Sequence, residues 1–136
     1  MALKWDARTM STGVDEIDAQ HQELFDHLNE FFRLMHLGKG AVGLEEFMDF
    51  LGQYAAWHFK HEEGCMLEHR CPAAAANKQA HSQFITIFKG YRNRLLSEGP
   101  TTSLVIEVQQ KVSDWVRNHI VGTDTKLREC VRSGVA

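Results

Sequence analysis

Four stretches of this 136-residue chain repeat their apolar residues with the period of an α-helix, and glycine or proline breakers separate them. In the first, Asp15 or Asp18 can cap the start, and from His21 the apolar face continues through Leu24, Phe25, Leu28, Phe32 and Met35. Gly38-Lys39-Gly40 stops it. The second carries Leu44, Phe47, Leu51, Tyr54 and His58 and breaks at Cys71-Pro72. Pro72 and the four alanines after it open a third helix, with His81, Phe84, Ile85, Phe88 and Leu95 on one face. After Glu98-Gly99-Pro100, the Thr101-Thr102-Ser103 run offers caps for a fourth. Its stripe is Val105, Val108, Val112, Trp115, Val116 and His119. Helices are therefore expected over about 15–37, 43–68, 73–97 and 102–121, after an amino-terminal arm (1–14) and before a polar tail from Asp124 to Ala136. Short connections between long amphipathic helices predict an all-α fold: an antiparallel up-down-up-down four-helix bundle, one domain spanning 1–136.

Composition narrows the function classes. A net charge of −3, with no basic run, argues against a nucleic-acid partner. No apolar run approaches a membrane span, and the opening residues Met1 to Asp6 show no secretory core, so a cytoplasmic protein is expected. Three cysteines (Cys65, Cys71, Cys130) form no CxxC pair, and reduced thiols are expected. There is no HExxH, no phosphate loop and no GxSxG elbow. Eight histidines are an excess for this length and require an explanation.

Their positions supply it. His21, His58, His81 and His119 each fall within an apolar stripe, one per helix. His27 and His36 should face solvent or a helix end, as should His69, and His61 sits at the edge of the buried face. A single inward histidine is ordinarily a hydrogen-bonded core residue. Four of them, one from each helix, match the way bundles build metal sites from converging side chains. Glu62, one turn after His58, adds a carboxylate to the same face. Asp124 follows His119 by five residues, about 140° around a regular helix. It joins the others only if the helix widens near Gly122 and Thr123; otherwise it is a surface residue past the helix end. Histidine with carboxylate suits iron or manganese, and no cysteine falls where zinc would favour thiolate. The Glu-x-x-His pairs of ferritin-like di-iron bundles are absent. Cys65 and Met66 are expected to pack, and Phe59, Phe84, Trp115 and Ile120 to wall the site.

Taken together, these residues resemble the hemerythrin family, and within it the single-domain bacterial branch. The resemblance rests on Trp5, Gly13-Val14, Ile17-Asp18 and the run Gln20 to Leu24. It continues through His58-Phe59, Glu62-Glu63, Met66, Pro72, His81 with Phe84, and Trp115 with His119-Ile120 and Asp124. It implies a non-haem site of two iron ions inside the bundle, with Glu62 and Asp124 bridging them beside an oxo or hydroxo group. His21 and His58 would hold the iron with the open position, where dioxygen binds reversibly as peroxide, and His81 and His119 would hold the other. One position departs from the family pattern. Asn77 stands four residues before His81, where the family has a further histidine. Three outcomes follow: Asn77 ligates weakly through its amide oxygen, water takes the position, or the second iron is labile. The implied role is dioxygen storage, delivery or sensing, without catalysis. The alternative is an oxidase- or peroxidase-type di-iron enzyme using the altered second iron, and a third possibility is a bundle whose metal site has decayed.

Overall fold

The computed structural model describes residues 3–133. Residues 1–2 and 134–136, the outermost parts of the expected arm and tail, lie outside the described residues. The chain is all-helical: α1 (Ala7–Met10), α2 (Asp15–His36), α3 (Gly40–Glu68), α4 (Ala74–Glu98) and α5 (Thr102–His119) are followed by a π-helical segment (Ile120–Asp124) and α6 (Lys126–Ser133). Helices α2 to α5 are the four expected, running antiparallel through turns at 37–39, 69–73 and 99–101.

The helix ends follow local chemistry. Thr101 caps α5, its hydroxyl accepting from Leu104 N at 3.1 Å. Helix α2 starts at Asp15, but neither expected aspartate caps it. Asp18 instead ties down the arm, accepting from Thr12 N and Thr12 Oγ1, both at 2.8 Å, and from Ser11 Oγ at 2.6 Å. Farther out, Asn29 holds Leu3 by two bonds, accepting from its N–H at 2.7 Å and donating to its carbonyl at 2.8 Å. Helix α3 closes through Arg70 in the left-handed region (φ 52°), with Cys71 N donating to Met66 O at 2.8 Å.

Among the described residues, two apolar clusters form the core. The larger runs along the bundle through Leu28, Phe31, Leu44, Leu51, Phe84 and Val108. The smaller lies under α6 and consists of Met66, Cys71, Leu127 and Cys130. The two are separated by a polar layer, which each helix crosses in turn: His21 precedes Leu24 on α2, Glu62 lies between Phe59 and Met66 on α3, and Asp124 lies between Ile120 and Leu127.

Three expectations are corrected. The core residue late in α2 is Phe31, 1 % exposed, with Phe32 only half-buried, because the contact with α3 rotates the stripe. The polar tail, read with no helix of its own, contains one at Lys126–Ser133, which turns Leu127 and Cys130 inward. The thiols are not all reduced: Cys71 and Cys130 form a disulfide across 59 residues, leaving Cys65 free. An odd cysteine count cannot reveal a pair that only the docking of α6 brings together, and the pairing removes the inference of a reducing compartment. No helix among the described residues is long and apolar enough to cross a membrane.

The disulfide closes a long loop, so it restricts the unfolded chain strongly. Cys130→Ser should lower stability by about 4 kcal/mol, scaled from loop length. Urea unfolding of the wild type with and without reductant should show the same difference, and Cys65→Ser should show little.

Candidate metal centre

Each functional side chain reaches the polar layer because its helix places it on the inward stripe. His21, His58, Glu62, Asn77, His81, His119 and Asp124 are all buried, and Glu62 and Asn77 are wholly so. His27 and His36 are exposed and His61 and His69 half-buried, as their positions around the helices predict.

Asp124 arrives through the π-helical segment. Thr125 N donates to Ile120 O at 3.1 Å, a five-residue closure that stacks residues five apart over one another. His119 Nε2 therefore lies 3.1 Å from Asp124 Oδ1, where a regular helix would hold them on different faces. Gly122 is not what permits this. A β-carbon built there meets nothing within 4 Å, and its φ is not among the positive ones.

The oxygens of the two carboxylates are divided between two pairs of histidines. Glu62 Oε2 lies 2.9 Å from His21 Nε2 and 3.6 Å from His58 Nε2, whereas Oε1 lies 3.1 Å from His81 Nε2. Asp124 Oδ2 is 3.2 Å from His21 Nε2, and its Oδ1 faces His119. Donor atoms of His21, His58 and Glu62 form one cluster within 4.8 Å, and those of Glu62, His81, His119 and Asp124 form another. Asn77 sits in the second. Its Oδ1 accepts from His119 Nε2 at 2.7 Å, and its amide nitrogen donates to Glu62 Oε1 at 3.0 Å and Met66 Sδ at 3.3 Å.

Three residues that sequence reasoning left unassigned hold the histidines in place. Glu63 accepts from His81 Nδ1 at 2.8 Å, and Gln20 Oε1 accepts from His58 Nδ1 at 2.6 Å. Tyr54 stacks on the His58 ring at 5.1 Å and donates its hydroxyl to the Gln20 carbonyl. Gln20 was legible in principle, being three residues after Ile17 and four before Leu24 on the buried stripe.

The electrostatics are those of a cation site. Burial opposes charge on His21, but Asp124 and Glu62 outweigh it and push its pKa up to about 9. For His58 burial wins over the attraction of Glu62, and its pKa falls to about 3. Burial also favours a neutral Glu62, yet its bonds to His21 and His81 hold the carboxyl well below the usual range. Asp124 is pushed up by burial and then by the charge of Glu62. Among the described residues, the recorded ion-pair partners of Glu62 and Asp124 are all histidines. His21 Nδ1 is buried with no hydrogen-bond partner, and Asp124 Oδ1 makes no hydrogen bond although His119 Nε2 is 3.1 Å away, because that nitrogen bonds Asn77 Oδ1 instead. Buried acids without a permanent cation, and polar atoms left over, fit metal ions. Four imidazoles and two carboxylates form the nitrogen–oxygen donor set that iron accepts.

A cavity of about 20 Å³ adjoins the centre, room for one very small molecule. Its lining includes His21, His58, His119 and Asp124, but neither His81 nor Glu62. Apart from these four and the polar atoms of Tyr54 and Trp115, its wall is hydrocarbon, with Phe59, Phe84 and Ile120 among the residues forming it.

Fold and site together define a cation-binding helical bundle. Residues 12–130 match the hemerythrin HHE cation binding domain. A bacteriohemerythrin of Stenotrophomonas maltophilia is 31% identical over 125 residues, covering 91% of this chain and 78% of that one. A bacteriohemerythrin of Methylococcus capsulatus is 25% identical over 130 residues, covering 95% and 96%. A hemerythrin-like protein of Naegleria gruberi is 27% identical over 126 residues, covering 93% and 91%. A crystal structure of a hemerythrin point mutant superposes with a TM-score of 0.83 at 25% identity, over 98% of this chain and 100% of that one. The chain belongs to the hemerythrin family.

Because Gly122 meets no steric demand, Gly122→Ala should raise stability by roughly 0.5–1 kcal/mol through reduced chain entropy. Metal content should stay unchanged, as measured by elemental analysis of the purified variant.

Proposed function

We propose that this chain binds two iron ions and takes up dioxygen reversibly, for storage, delivery or sensing. The observation that carries the reading is the division of each buried carboxylate between two histidine pairs, with an apolar cavity that touches both histidines of one pair and His119 of the other. In this reading His21 and His58 would hold one iron, His81 and His119 the other, and Glu62 and Asp124 would serve both. Iron in its ferrous state would supply the two electrons, one per ion, that dioxygen takes up on binding.

The protein's own contribution is positional and dielectric. Imidazole Nε2 protons and metal ions compete for the same carboxylate oxygens, so loading releases protons. The hydrocarbon wall keeps bulk water, and the protons it would deliver, away from the bound gas. Tyr54 adds no donor to the cavity while its hydroxyl stays on the Gln20 carbonyl. Asn77 Oδ1, which accepts from His119 Nε2 here, would offer the second position only a neutral amide oxygen, a weaker partner for iron than imidazole.

That weaker partner also favours a second reading, an oxidase- or peroxidase-type enzyme working through an exchangeable position beside Asn77. Ferrous protein exposed to air separates the two. An absorption band that appears with oxygen and disappears on its removal supports binding. Immediate ferric conversion with turnover of a reducing substrate supports the enzyme, and a chain that retains no iron defeats both. On either reading, Asn77→His should slow autoxidation and raise iron per chain toward two. Equal rates and equal iron content would show that Asn77 does not govern the second position.

A further inference from the structure

Gln20 makes connections that the ligand assignment does not use. It is 5 % exposed and one residue before His21, and it joins two histidines of α3. Its side-chain oxygen accepts from His58 Nδ1 at 2.6 Å, while its amide nitrogen donates to His61 Nδ1 at 2.8 Å. The two bonds fix the tautomers together. With its proton on Nδ1, His58 turns Nε2 toward Glu62, 3.6 Å away. With its lone pair on Nδ1, His61 turns Nε2 outward toward Glu16, also at 3.6 Å. The main chain of Gln20 is itself anchored to α3 by the Tyr54 hydroxyl.

The contrast with the other half of the centre gives this arrangement a consequence. His81 leans on the Glu63 carboxylate at 2.8 Å, whereas His58 leans on an uncharged amide. A carboxylate draws the imidazole proton toward itself and makes the opposite nitrogen a stronger donor, and an amide oxygen does so less. We propose that Gln20 is the positioning residue of the His21/His58 metal position, holding His58 Nε2 inward and keeping that histidine a weaker donor than His81. An iron held at this position, whose two histidines both line the cavity, is thereby biased toward its ferrous state. The inference rests on the di-iron reading above.

Anaerobic ferrous titration against a competing chelator, with midpoint potentials of the loaded proteins, tests it on wild type, Gln20→Ala and Gln20→Glu. The Tyr54 bond goes to the backbone, so it survives in both variants, and far-ultraviolet circular dichroism checks that they are folded. Gln20→Ala should lose roughly 10–100-fold in affinity for one of the two ions. Gln20→Glu retains an acceptor for His58, and His61 can meet the new carboxylate with its other tautomer. It should keep wild-type affinity and show a lower midpoint potential. Equal affinities and potentials in all three proteins overturn the assignment. An equal loss in both variants also overturns it, because that marks a packing role. A wild type that fails to bind two ions overturns the di-iron reading and this inference with it, an outcome distinct from the other two.

Discussion

Two carboxylates inside a hydrocarbon bundle, with histidines as their recorded ion-pair partners, are the constraint to which the rest of the structure answers. Removing such charges from water costs several kcal/mol each unless positive charge and hydrogen bonds replace the lost solvent. No single helix provides enough partners. Glu62 from α3 meets His21 from α2 and His81 from α4, and Asp124 meets His21 and His119. The polar layer therefore ties all four helices to one another. It also divides the apolar core in two, leaving the small cluster under α6 to be held by other means.

Those other means are concentrated at the same end of the molecule. Cys71 and Cys130 join the α3–α4 turn to α6, the arm packs against the π-helical segment, and Asp18 holds the stretch of the arm that leads into α2. Met66 links the layers directly, packing in the small cluster while its sulfur accepts from Asn77. Structural reinforcement thus sits where the polar centre has interrupted the continuity of the core.

The fold was legible because the apolar period is regular and its breakers are unambiguous. The four inward histidines were legible for the same reason, since each occupies a stripe position that an apolar residue would otherwise take. Asp124 was only half legible. The five-residue step from His119 has two physical solutions, and the sequence does not reveal which helix ladder wins. Glu63 stayed hidden because it follows a stronger candidate by one residue, where helical rotation argues for exposure. The disulfide was illegible in principle: three cysteines allow several pairings, and the choice depends on a helix in a stretch read only as a polar tail.

The π-helical segment also changes how this centre can vary. A helix ladder admits whole residues only, so losing or gaining one residue between His119 and Asp124 moves the carboxylate by about 1.5 Å along the axis and about 100° around it. Leu127 and Cys130 lie downstream of the same step, so the staple and the small core move with it. Substitutions can tune the histidines gradually through their hydrogen-bond partners. The reach of Asp124 has no such gradation. It behaves as a digital setting, and the arm, the disulfide and α6 are all registered to it.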